Sequence, residues 1–201
     1  MGCTHSDFVV ATKNALNPTY LNRYKNTENA ELTGDQIQRV KSSWKLITNH
    51  REFGLNIMTR IFTKHLEVKN KWIFAKDLNN EDEIRKNPQL VYHATKIMEV
   101  MDKVIASYNY DGVNDFKDIM HLGKNHFDYG VRPSDFEHFE EALIYCLEKE
   151  IKNDTIFDLA TKASWKKFFM TLASKLSEGI YLAEIDELNT INNCKKKNNF
   201  Y

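Results

Sequence analysis

The stretch Phe116-Lys-Asp-Ile-Met-His-Leu-Gly-Lys-Asn-His126, followed by Phe127-Asp-Tyr-Gly-Val-Arg-Pro133, constrains this chain more than any other. Phe116, Ile119, Gly123 and His126 are spaced three, four and three apart, which places them on one face of a helix. His126 therefore looks inward near that helix's C-terminal end. His121, five residues earlier, lies roughly 140° round the helix and looks elsewhere. A helix that aims one His into an apolar space and then stops at Gly130 and Pro133 is built to present that side chain. Upstream, His93 shares an equally apolar face with Leu90, Ala94, Ile97, Met101 and Val104. On spacing alone two readings stand. One is a pair of hydrogen-bonded core histidines, the commoner fate of an inward imidazole. The other is a pair of imidazoles on either side of an iron porphyrin, which needs an axial nitrogen held rigidly beneath a flat apolar cavity. The other nitrogen of such a ring is oriented by a backbone carbonyl of the preceding turn.

Only seven Gly and three Pro in 201 residues, with 12% aromatics, favour long helices over a turn-rich β fold. The apolar periodicity agrees. Thr33-Gly-Asp-Gln36 is a capping-box pattern opening the stripe Ile37, Val40, Trp44 and Ile47. A second stripe holds Phe53, Ile57, Met58, Ile61, Phe62 and His65, and the segment 68–75, with Trp72 and Phe74, turns a corner. Residues 77–86, dense in Asn and charge, are expected to be an exposed loop. Asn87-Pro88 supplies an N-cap and a first-turn proline for the His93 helix, and Tyr110-Asp-Gly112 ends it. Ser134 to Glu137 is a second capping-box pattern, ahead of Phe136, Phe139, Leu143, Leu147 and Ile151. Asn153-Asp154 is expected to cap the last long helix, whose stripe is Trp165, Phe168, Phe169, Leu172, Leu176 and Ile180. That makes about six substantial helices with no convincing strand or internal repeat.

Equal numbers of basic and acidic residues, 28 each, give no electrostatic reason to expect nucleic acid as a partner. No run approaches the ~20 apolar residues of a membrane span. The three cysteines, at 3, 146 and 194, have no metal-binding spacing, and a reducing, cytosolic setting is expected. Cys146 falls on an inner helical face as a small core residue. The first residues, Met-Gly-Cys-Thr-His-Ser, match the N-myristoylation pattern at Gly2, with Cys3 beside it as a palmitoylation site. The expected organisation is an acylated extension over 1–32, a helical domain over 33–183 and a polar tail over 184–201. Cys194 is not fourth from the end, so the tail is no prenylation box, and Lys195-Lys-Lys197 is a solvated run.

Several separated motifs carry a family resemblance. Leu32-Thr-Gly-Asp-Gln36, Val40 and Ser43-Trp44 are similar to the first globin helix with its inward Trp. His65-Leu-Glu67 through Trp72-Ile-Phe74 resembles the turn that brings an aromatic onto the haem face. His93 and Ile97 one turn later match the distal His and its aliphatic neighbour. Leu122-Gly-Lys-Asn-His126, Tyr129-Gly-Val131 and Phe136 match the proximal His and the corner after it. Tyr145-Cys-Leu-Glu-Lys149 and Ala163-Ser-Trp165 resemble the last two helices. In this order the chain, from Thr33 to about Ala183, resembles the globin family, and within it neuroglobin and the N-acylated, membrane-associated globins of animals.

The resemblance implies an all-α globin fold, a three-on-three helical sandwich around haem b, extended at both termini. It implies His126 as proximal iron ligand and His93 as distal residue and sixth ligand. Ile97, Met58, Trp72, Val131 and Phe136 fall at pocket-lining positions, and Lys96 is the candidate partner of a haem propionate. The family's corner Phe is replaced by Trp72 in direct register, or met by Phe74 with a two-residue shift. Met58 stands where some oxygen-avid members carry Tyr, and a thioether donates no hydrogen bond, which leaves His93 as the polar group facing a bound gas. Function then follows as an expectation: binding of dioxygen or another diatomic gas, Fe(II)/Fe(III) cycling with a separate electron donor, and residence on the cytoplasmic face of a membrane. The alternatives are a haem enzyme acting on nitrite, nitric oxide or peroxide, and simple oxygen storage or transport.

Overall fold

The computed structural model describes residues 31–108 and 116–198, with side chains as far as residue 192. Within these residues every regular element is helical. Six helices exceed ten residues: α1 (Gly34–Trp44), α2 (His50–Lys64), α5 (Pro88–Ser107), α6 (Lys117–Asp128), α7 (Asp135–Ile151) and α8 (Leu159–Asn198). Two short ones, α3 (Leu66–Lys69) and α4 (Glu81–Lys86), and a 3-10 turn at Ile73–Ala75 fill the corner between α2 and α5. Among the described residues no helix is long and apolar enough to cross a membrane. The helix break expected at 110–112 and the acylation expected at Gly2 and Cys3 lie outside the described residues.

The helix starts show how local chemistry sets the elements. Thr33 accepts from Gln36 N at 3.3 Å while the Gln36 side chain accepts from Thr33 N at 3.0 Å, so both halves of the capping box form. Asn87 Oδ1 accepts from Gln89 N and Leu90 N ahead of Pro88. Three expectations are corrected. Residues 81–86 form α4 rather than loop, because Asn80 Oδ1 accepts from Glu83 N at 2.9 Å and Ile84 is buried. Ser134 makes no side-chain cap, because its backbone is already helical (φ −63°, ψ −25°). The Asp135 carboxylate instead accepts from Arg132 N at 2.8 Å and pairs with Lys71. Asn153 closes only a local turn on Thr155; the first turn of α8 is capped by Asp158, whose Oδ1 accepts from Thr161 N at 2.7 Å. Arg39, clamped by Asp35, reaches the same Asp158 and ties α1 to that turn.

Packing then sets the cross-section. α8 lies along α6 and also meets α1 and α7, while α2 packs on α5 and α7. One continuous core joins them, with Trp165, Phe53, Phe62, Phe168, Leu143 and Leu147 fully buried. The inward tryptophans have their indole N–H groups satisfied: Trp44 Nε1 donates to Asp102 at 2.7 Å and Trp165 Nε1 to Ser43 Oγ at 2.8 Å. Where α6 crosses α8 there is no room for any side chain between the backbones. A Cβ at Gly123 would sit 2.1 Å from the Leu176 carbonyl oxygen, and one at Gly179 would sit 1.9 Å from that of Met120. Two glycines, one on each helix, therefore set how closely α6, and with it His126, lies against the core. α8 does not stop near residue 183; it runs on to Asn198 through the polar segment, with Glu184 still buried and Ile185 half exposed.

Candidate functional site

α6 ends in the turn that carries His126, and Gly130 (φ +78°) just beyond adopts the left-handed backbone that a helix stop favours. His126 Nδ1 lies 2.8 Å from the Leu122 carbonyl oxygen. A carbonyl only accepts, so Nδ1 carries the hydrogen and Nε2 holds a bare lone pair. Val131 N donates to the His126 carbonyl at 3.1 Å, which ties the corner to the end of α6. Phe136, buried at the start of α7, sets its ring 6.5 Å from that of His126.

Across from it, α5 brings His93 into place. The two imidazole rings face each other with centres 6.4 Å apart at 65°. Trp72 sits edge-to-face on His93, centres 4.7 Å apart, and is itself backed by Phe62 at 5.7 Å and Phe74 at 5.5 Å. Trp72 is thus the corner aromatic in contact with His93, and Phe74 packs on Trp72. Ile97, one turn after His93, packs partly buried against the core, as does Val131, and Met58 is buried on α2. Lys96 points away into solvent, paired with Glu99 at 2.8 Å and lying over the Tyr92 ring. His121 is exposed.

Electrostatics keep both rings neutral. Burial first, and the neighbouring His126 second, push His93 down from 6.5 to about 4. Burial also lowers His126, opposed by its hydrogen bond to the Leu122 carbonyl. Two neutral imidazoles in an apolar setting, one with its free nitrogen fixed by a backbone carbonyl, form a donor set suited to iron, zinc or copper. A metal–imidazole bond of about 2.1 Å on each side, with about 1 Å from each nitrogen to its ring centre, brings two ligating rings to about 6 Å. The ring centres observed are 6.4 Å apart, close to that separation.

Sequence periodicity placed His93 and His126 on inward faces; that they face each other depends on how α5 and α6 are held. Phe62 was legible only as a core position of α2, and nothing in its spacing marks it as the backing of Trp72.

An all-helical fold that brings two imidazoles from opposed helices together in its apolar interior is the arrangement of a metal- or haem-binding helical protein, and comparison with known proteins identifies the family. The Globin family model matches residues 55–176, and the chain belongs to the globin family. It is 22% identical over 151 residues to neuroglobin of Tetraodon nigroviridis, covering 74% of this chain and 92% of that one. Neuroglobin of Danio rerio is 20% identical over 142 residues, with 70% and 87% covered. Globin CTT-VIIB-10 of Chironomus thummi thummi is 29% identical over 143 residues, with 68% and 81% covered. The protein is a haem-binding globin of the kind that binds dioxygen and other small gases.

Proposed function

We propose that this globin holds haem b with His126 as the proximal ligand and His93 as the distal ligand at rest. The observation that carries this reading is the pair of buried imidazoles on opposed helices, ring centres 6.4 Å apart at 65°, one with its tautomer set by Leu122. When bound, the iron porphyrin supplies reversible gas binding and a ferrous/ferric couple. The chain's own residues do the rest. Leu122 orients His126; Phe136 and Val131 shape the proximal side; Trp72, Ile97 and Met58 exclude water on the distal side. With haem bound, His93 would have to give way to a gas, and its N–H would be the hydrogen-bond donor available there. Lys96 serves as propionate partner by exchanging its contact with Glu99.

The physiological reading is a redox or oxygen-responsive globin tethered to the cytoplasmic face of a membrane through Gly2 and Cys3, reduced by a separate electron donor. Met-Gly-Cys-Thr-His-Ser at the N-terminus supports the tether. Tethering argues against bulk oxygen carriage, since a carrier gains from free diffusion. Replacing His126 by Leu tests the haem assignment: purified protein is expected to have lost most of its haem. Wild-type occupancy with an unchanged axial-ligand spectrum would overturn it.

A further inference from the structure

A second pair of histidines meets on the surface, away from His93 and His126. His65 closes α2 and opens α3, and His138 lies in the first turn of α7; their rings stack with centres 3.8 Å apart and 29° between planes. Glu67 places Oε1 3.4 Å from His65 Nδ1 and 3.6 Å from His138 Nε2. In a tetrahedral shell with bonds of about 2.0–2.1 Å, neighbouring ligand atoms lie about 3.4 Å apart. Two edges of such a shell are therefore near their required length, and all three donor atoms lie within 4.8 Å of one another. Rotation of the two rings about their Cβ–Cγ bonds opens the stack and closes the third edge.

The shell around these groups is also arranged. His65 Nε2 lies 3.2 Å from Glu141 Oε2. Arg60, which bonds Glu141 at 2.7 Å, and His65 after it hold that carboxyl below the usual carboxylate range. An ionised carboxylate only accepts, so His65 carries a hydrogen on Nε2 toward Glu141, and a cation would replace the proton that Nδ1 otherwise offers to Glu67. Arg60 is fixed in turn over the Tyr145 ring, 3.5 Å from its centre. A carboxylate behind an imidazole is the outer arrangement that orients histidine ligands on metals. The Glu67 side chain is 64% exposed, which leaves the remaining coordination position open to water.

We propose that His65, Glu67 and His138 form a surface site for a first-row divalent cation of the zinc type, separate from the haem ligands. Two imidazoles with one carboxylate favour such ions over calcium or magnesium. Bound there, the ion joins the α2–α3 corner, which leads to Trp72, to α7, which carries Phe136.

Titration calorimetry with zinc chloride on the haem-loaded full chain tests the site. The expected result is one saturable equivalent for wild type, unchanged in His121→Ala. Glu141→Gln should weaken it by roughly 10- to 100-fold through loss of the outer carboxylate, and His138→Ala and Glu67→Gln should weaken it further. All these side chains reach the surface, and an unchanged haem spectrum confirms that each variant is folded. Wild type showing no saturable zinc binding would overturn the site. So would binding by His138→Ala or Glu67→Gln equal to wild type, which would place the ion elsewhere, on Cys3 and His5 for instance.

Discussion

At His93 a proton and a metal ion compete for the same lone pair, and burial decides the competition against the proton. Its pKa falls from 6.5 to about 4, so the ring stays an available ligand throughout the neutral range. The same shift has a consequence for the protein freed of haem. Between about pH 6.5 and 4 the unfolded chain binds a proton at this position that the folded chain refuses, so folding stability falls as pH falls through that window. A drop from 6.5 to about 4 at about 1.4 kcal/mol per unit amounts to on the order of 3 kcal/mol. His126, also lowered, acts in the same direction. Glu67 and Glu141, whose pKa values are lowered from 4.5, withdraw their contributions only below that value. Urea unfolding of haem-free protein between about pH 7 and pH 5 should therefore show a falling midpoint, with a shallower fall in His93→Leu. Equal slopes for the two proteins would contradict the assignment of this shift to His93.

The crossing of α6 and α8 is where one element controls the site. Replacing Gly123 by Ala puts a methyl group against the Leu176 backbone, which cannot give way as a flexible side chain can. Overpacking costs typically 1–3 kcal/mol, and the Gly123→Ala loss should sit at or above the top of that range. Because His126 is one turn further along α6, haem should also dissociate faster than from wild type. Thermal melting and transfer of haem to a scavenging apoprotein check both effects. The periodicity of α6 already showed Gly123 beside His126 on the inner face, yet not that the Leu176 backbone would press on it or that Gly179 of α8 would make the matching approach to Met120. Elsewhere, legibility followed the range of the interaction. The Thr33–Gln36 box, made within three residues ahead of a clear apolar stripe, was readable. Ser134 makes no cap because its backbone is already helical, and the partner that Asp135 takes besides Arg132, Lys71, comes from a distant segment. α4 carries no apolar stripe, because one buried residue, Ile84, anchors an otherwise polar stretch. His65, Glu67 and His138 gave no signal, since only the packing of α2 on α7 brings them together.

For the whole molecule, family and fold agree with a reading made from scattered motifs, while location rests on the first three residues. On the proposed tether, one myristoyl chain at Gly2 would give only marginal, reversible membrane binding, whereas a second chain on Cys3 would hold the protein stably. Gly2→Ala should therefore move the protein to the soluble fraction, and Cys3→Ser should leave it partly and reversibly bound. A wild-type protein wholly soluble in its own cells would end the tether without touching the haem site.

The bis-histidine site is the central claim, and the absorption spectrum of the purified ferrous protein without added gas tests it most directly. The account predicts a low-spin, six-coordinate spectrum that becomes five-coordinate in His93→Leu, with faster carbon monoxide binding as the competing imidazole is removed. A wild-type ferrous spectrum that is already five-coordinate and high-spin would contradict it.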